Sequence, residues 1–213
     1  MPAAAAMNAS AAEDVVVLRD IAWETYCQLN DENFSPAIHM AFFEGFLEIM
    51  TVSARHENWE GTIETLVHAL AWAVRLDVTT FGSVTMRRKD LRAGLEPDAC
   101  FYFGQMAATM RGRKELDLHS DPAPDLAVEI DISRRSFAKF PIYAALGIRE
   151  IWRFHENELA LYELAEGEYR AIDQSVALPR MTGARLTQLL ADSQTMASPE
   201  WLDRVRSAML AEG

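Results

Sequence analysis

PDLAVEIDISRRSFAKF, residues 124–140, is the stretch whose reading decides the fold. Leu126, Ala127, Val128, Ile130 and Ile132 make it read as a buried strand over 125–132. Glu129 and Asp131 interrupt that pattern. They alternate with Ile130, so both face one side of a regular strand. Glutamate is disfavoured in strands and is almost never fully buried without a partner. Glu129 therefore calls for a partner, and metal binding would supply one.

Downstream, Ser133 is placed to cap a helix that runs to about Leu146, with Gly147 as its stop. Lys139 falls on that helix one turn before Tyr143. Ile148–Phe154 and Leu159–Leu164 read as strands, and Glu166-Gly167 turns the chain into Tyr169–Ile172. A helix around 198–211 closes the chain. Upstream, 97–103 reads as a strand after a loop at Gly94, and 105–121 as polar and irregular. Residues 77–87 look like one further strand. Trp59, Ile63, Leu66, Val67 and Leu70 share a face of a helix over 55–75, with Ser53 as its cap. Two strands, 37–43 and 46–52, meet at a Glu44-Gly45 turn. NDENFSP, 30–36, is a loop, and the amphipathic spacing of 13–30 predicts an N-terminal helix. The sum is an α/β or α+β domain with a mixed β-sheet flanked by helices.

The 213 residues suit one domain, half of them hydrophobic, with a net charge of −12. That charge argues against a non-specific nucleic-acid coat. Basic residues are nonetheless concentrated in 82–114 and 131–153. No apolar run approaches the ~20 residues that span a membrane. The Ala-rich start lacks a basic leader, so a cytoplasmic location is expected. Cys27 and Cys100 form no CxxC pair, and there is no HExxH, GxSxG or P-loop.

One constellation carries chemistry. Asp98 opens a strand in GLEPDACFYF, 94–103, Glu129 lies on a second strand, and Lys139 follows on the next helix. Two carboxylates can hold Mg²⁺ with a carbonyl and waters completing its shell. Such an ion lowers the pKa of a bound water, and a lysine ammonium offsets developing phosphate charge. This is the equipment of phosphodiester hydrolysis. His56, Glu60 and Glu64 recur every four residues along one stripe of the 55–75 helix and are further candidates. Glu48 on its strand is a lesser one, expected to pair with a basic neighbour.

FEGFLEIMTVSARHENWEG, GLEPDACFYF and PDLAVEIDISRRSFAKFPIYAALGIREIWRF together resemble the Uma2 or DUF820 family of restriction endonucleases, in the PD-(D/E)XK nuclease superfamily. The resemblance covers about 34–190. It implies a restriction-endonuclease-like domain there, behind a 1–33 extension with a helix and ahead of a 191–213 helix that packs on the same domain. It also implies an endonuclease acting on nucleic acid, expected to be DNA, with Asp98 and Glu129 as ligands of Mg²⁺ or Mn²⁺ and Lys139 as the catalytic lysine. The plain superfamily motif has lysine two residues after the glutamate. Here that position is Asp131, which either joins the site or pairs with Arg134 or Arg135. Arg87, Arg88, Lys89 and Arg92 would line the rim as nucleic-acid contacts, and a homodimer is expected. The alternative is a catalytically degenerate nucleic-acid-binding or dimeric interaction protein on the same fold.

Overall fold

The computed structural model describes residues 13–33, 35–132 and 139–211. Its elements are, in chain order, β1 (Val15–Leu18), α1 (Trp23–Asp31), β2 (Ile38–Phe43), β3 (Phe46–Thr51), α2 (Ala54–Ala73), β4 (Val78–Phe81), β5 (Met86–Arg88), β6 (Ala93–Leu95), β7 (Ala99–Phe103), α3 (Gly104–Met110), β8 (Leu126–Asp131), α4 (Phe140–Leu146), β9 (Glu150–His155), β10 (Glu158–Ala165), β11 (Glu168–Ile172), α5 (Gly183–Ser193) and α6 (Ser198–Leu210). A short 3₁₀ turn, Lys89–Leu91, joins β5 to β6.

Among the described residues the strands form two sheets, not one. The larger has the order β11-β10-β9-β8-β7-β4, the smaller β1-β3-β2-β6-β5. β8 and β9 run parallel, joined by the crossover that contains α4, while the other pairs are antiparallel. That is the connection a parallel pair requires.

Strand alternation sorts the side chains into layers. Val128, Ile130, Trp152 and Phe154 on one face of the larger sheet pack under Trp59, Ile63 and Leu66 of α2, Leu186 of α5 and Val205 of α6. Cys100, Tyr102, Ala127 and Ile151 on the other face meet Ala41, Met86 and Leu95 of the smaller sheet, with Ile142 and Tyr143 of α4 between them. α1 covers the outside of the smaller sheet through Trp23 and Tyr26 on Met40, Phe42 and Leu47. Glu129 falls on the face turned to the inter-sheet layer.

Ser53 caps α2 as expected, its side chain accepting from the His56 backbone N–H. The turns at Glu44-Gly45 and Glu166-Gly167 have two successive positive φ angles, 48° and 94°, 55° and 86°. This is the hairpin geometry that matches strand twist. Gly147 ends α4 at φ 77°.

Several expectations are corrected. The helix expected over 13–30 is instead the strand β1 followed by the shorter α1. Val15, Val16 and Val17 are β-branched and suit a strand, and Asp20 at φ 56° breaks any helix there. The single strand of 77–87 is two, and the chain leaves one sheet for the other between Phe81 and Met86. Gly94 lies inside β6 rather than in a loop. A Cβ there would stand 2.6 Å from the Tyr26 hydroxyl, so the glycine admits the ring that packs across the strand. Residues 104–110 form α3 within the stretch read as irregular. α5 was not anticipated, although Thr182 caps it and Leu186, Leu189 and Leu190 have helical spacing. The helix after β8 is described from Phe140, and its expected cap Ser133 lies outside the described residues. Among those residues no helix is long and apolar enough to cross a membrane.

Candidate active site

β7 and β8 pair antiparallel with Ala99 opposite Val128. One step further, Asp98 stands opposite Glu129. Directly opposed residues on antiparallel strands share a face, with Cβ atoms about 5 Å apart. The register therefore puts two carboxylates, sequence neighbours of nothing but apolar residues, side by side in the inter-sheet layer. Both are buried.

Like charges so placed repel, and the fold offsets each with its own partners. Lys139 Nζ donates to both oxygens of Glu129, at 3.1 and 3.0 Å. The Tyr143 hydroxyl donates to Oε1 of the same carboxylate. Lys139 is the residue that enters α4, and its carbonyl accepts from the Tyr143 N–H, so one helical turn presents both donors. Buried charge is tolerated in this geometry because it is paired and hydrogen-bonded.

Asp98 is held differently. Its Oδ2 accepts the Ile130 backbone N–H at 2.6 Å. Its Oδ1 lies 3.0 Å from His56 Nε2 and 3.4 Å from His39 Nδ1. On the far side of the ring, His56 Nδ1 is 2.7 Å from Glu13 Oε1. Burial lowers the basicity of His56, but the flanking Asp98 and Glu13 carboxylates outweigh it and push its pKa up to about 10. Burial likewise opposes ionisation of Asp98, yet His56, His39 and Lys139 hold its carboxyl well below the ordinary range.

The remaining candidates take distinct places. Asp131 is buried, and its Oδ2 accepts from Arg153 Nε at 2.5 Å, while its carbonyl lies 3.0 Å from His155 Nδ1. Its expected partners Arg134 and Arg135 lie outside the described residues. Glu60 is half-buried one turn after His56. Burial, with the charges of Asp98 and Glu64, raises its pKa to about 7. Burial also raises the Glu64 carboxyl, one turn further along. Glu48 is buried opposite Ala41, on the face turned to the inter-sheet layer.

The four basic residues named as a rim sit apart from the carboxylates, at the β5–β6 turn. That turn is at the end of β6 away from Asp98. Arg87 reaches Asn30 and Asp31 at 2.8 and 2.6 Å. Arg88 forks onto Asp90, and Lys89 lies 3.1 Å from Glu24. Arg92 occupies the left-handed position that closes the 3₁₀ turn.

Sequence reasoning missed Glu13, His39 and Arg153. A histidine inside the apolar IHMAFF strand was the available signal for His39. Glu13 carried none, because its link to His56 spans 43 residues. Glu150 is an instructive contrast. It is also a fully buried strand glutamate, but it accepts from Trp152 Nε1 and from the N–H groups of Val176 and Ala177, all scaffold donors. Burial alone does not mark a site. What sets Asp98, Glu129 and Lys139 apart from Glu150 is their juxtaposition.

Among the described residues no group of three or more His, Cys, Asp or Glu side chains is arranged to hold a metal ion. Asp98 and Glu129 are a pair of hard oxygen donors in adjacent register. That donor chemistry fits Mg²⁺ or Mn²⁺, which commonly take one or two carboxylates and complete their shell with water.

A family model described as "Putative restriction endonuclease", Uma2, matches residues 23–194. No curated protein matches. Among solved structures, a "putative nuclease belonging to DUF820" from Anabaena variabilis aligns with TM-score 0.51 and 15% identity, over 89% of this chain and 99% of that one. At that identity the likeness speaks for the fold. With the family match extending from α1 through α5, the chain belongs to the Uma2 family of restriction-endonuclease-like proteins.

Proposed function

We propose that this protein is a Mg²⁺- or Mn²⁺-dependent endonuclease that hydrolyses phosphodiester bonds of DNA at the Asp98–Glu129–Lys139 cluster. One observation carries the reading. Two buried carboxylates face one another across β7 and β8, with a lysine ammonium 3.0 Å from one of them. Asp98 and Glu129 would hold the ion. Bound there, it would supply a water of lowered pKa and a positive charge near the scissile phosphate. The protein's own groups do the rest. Ile130 N–H and His56 orient Asp98, and Tyr143 orients Glu129. Lys139 would offset negative charge developing on a phosphate oxygen.

A second reading has a specific observation in its favour. Both carboxylates are already charge-paired within the protein, and Asp131 at the usual lysine position is paired with Arg153. A nucleic-acid-binding or dimeric interaction protein with a disused site would look the same.

Cleavage of plasmid DNA in Mg²⁺ or Mn²⁺ separates the two, run beside Asp98→Asn, Glu129→Gln and Lys139→Met. The nuclease reading expects nicking by the wild type, and loss of about 100-fold or more in each variant. It also expects divalent ions to raise the melting temperature of the wild type. A wild type that neither cuts nor gains stability from the ions leaves the interaction reading in place.

A further inference from the structure

We infer that Glu13, which lies ahead of the region the family model matches, is a positioning residue of this site. The inference rests on the nuclease reading for its kinetic consequence only, since the geometry stands by itself.

Glu13, His56 and Asp98 form a continuous chain of contacts. His56 Nδ1 meets Glu13 Oε1 at 2.7 Å, and Nε2 meets Asp98 Oδ1 at 3.0 Å. The side chains of Glu13 and His56 are closed to solvent. An imidazole can present either nitrogen to a partner, and which one it presents is set by what the other nitrogen bonds. With Nδ1 committed to Glu13, Nε2 is the nitrogen turned to Asp98. The same logic orients histidines at metal centres, where the outer carboxylate is about as important as the ligand it aligns. Here the histidine aligns a carboxylate, and it keeps Asp98 on the side of Glu129 despite the like charge.

The backbone around Glu13 is built for this. Asp14 and Thr51 exchange hydrogen bonds at 3.0 Å, backbone N–H to Oγ1 in one direction and N–H to carbonyl in the other. β1 then continues antiparallel along β3 from Val15 opposite Met50. Two residues beyond Thr51, Ser53 accepts the His56 N–H at 3.2 Å. Glu13, the end of β3 and the first turn of α2 thus share one rigid frame. The N-terminal strand completes the site instead of merely preceding the domain.

The alternative is a strut, an ion pair that ties β1 to α2 and does nothing for Asp98. Glu13→Ala removes the acceptor, and Glu13→Gln keeps an oxygen that can accept from Nδ1 while removing the charge. Two readouts are taken below the melting temperature of every variant. The first is the long-range ¹⁵N–¹H spectrum of the His56 ring, which needs no activity. It should show one fixed ring state in the wild type and in Glu13→Gln, and a ring that averages or changes state in Glu13→Ala. The second is the kinetics of DNA nicking. In Glu13→Ala, kcat should fall about 10- to 100-fold with KM little changed, and Glu13→Gln should recover most of that loss. Should Glu13→Ala fail to fold, Glu13→Met fills similar volume without an acceptor and carries the same expectation. An unchanged His56 spectrum in the variant without an acceptor overturns the inference, as does a folded variant with wild-type kcat. A spectrum that changes as expected in a protein that cuts no nucleic acid keeps the alignment of Asp98 and removes the nuclease reading instead.

Discussion

Lys139 Nζ stands 3.0 Å from Glu129 Oε2 across a separation of ten residues, one on the turn entering α4 and the other in the middle of β8. Both are buried, and they form an ion pair. Removing Lys139 takes the paired positive charge from a buried carboxylate. Lys139→Met should cost about 3–5 kcal/mol of stability. Combined with Glu129→Gln, it should cost about 2 kcal/mol less than the two single losses added together. Urea unfolding of the four proteins reads the coupling directly, and strict additivity would show that the pair is not a unit.

Glu60 makes stability depend on pH. Its carboxyl is raised from 4.5 to about 7 by burial first, then by Asp98 and Glu64. The folded state therefore holds the proton more tightly than the unfolded chain. The resulting contribution is fully present below pH 4.5 and is lost as pH rises through about 7. Glu60→Gln removes that loss. In metal-free buffer the variant should match the wild type near pH 4.5 and exceed it at pH 8 by about 1 kcal/mol, a figure reduced for the half-exposed side chain. Equal gains at both pH values would mean that ionisation is not the cause.

Gly94 should not accept a side chain. The Cβ of Gly94→Ala would meet the Tyr26 ring at 2.6–3.0 Å, and Tyr26 is itself fully buried against Phe42. Overpacking of this kind costs about 1–3 kcal/mol. A fall in melting temperature is expected, and an unchanged one would mean that the ring can shift at no cost.

Asp131 answers to Arg153. If that pair is scaffold rather than chemistry, Asp131→Asn should lower nicking by less than about tenfold, where Glu129→Gln lowers it about 100-fold or more. Equal losses in the two variants would place Asp131 among the groups that act on the phosphate.

Much of the site was legible from local pattern. Glu129 announced itself as a charged residue in an apolar strand, and the i, i+4 spacing of Lys139 and Tyr143 was visible in the same segment. The hairpin turns at Glu44-Gly45 and Glu166-Gly167 and the Ser53 cap are local chemistry, and each appears where the residues place it. The errors share a cause. The switch of sheets between Phe81 and Met86, the strand around Gly94 and the strand at Val15–Leu18 are decided by what packs opposite. No window of neighbouring residues contains Tyr26 beside Gly94, or Met50 beside Val15.

By itself, then, the sequence determined the residue types of the site and the elements that carry Asp98, Glu129 and Lys139, because hydrophobic period and capping act over a few residues. Tertiary structure alone decided that Asp98 stands opposite Glu129, that Lys139 and Tyr143 converge on one carboxylate, and that Glu13 and His56 close on the other. Strand register and helix docking are set by burial summed over the whole core, and that sum is written in no single segment.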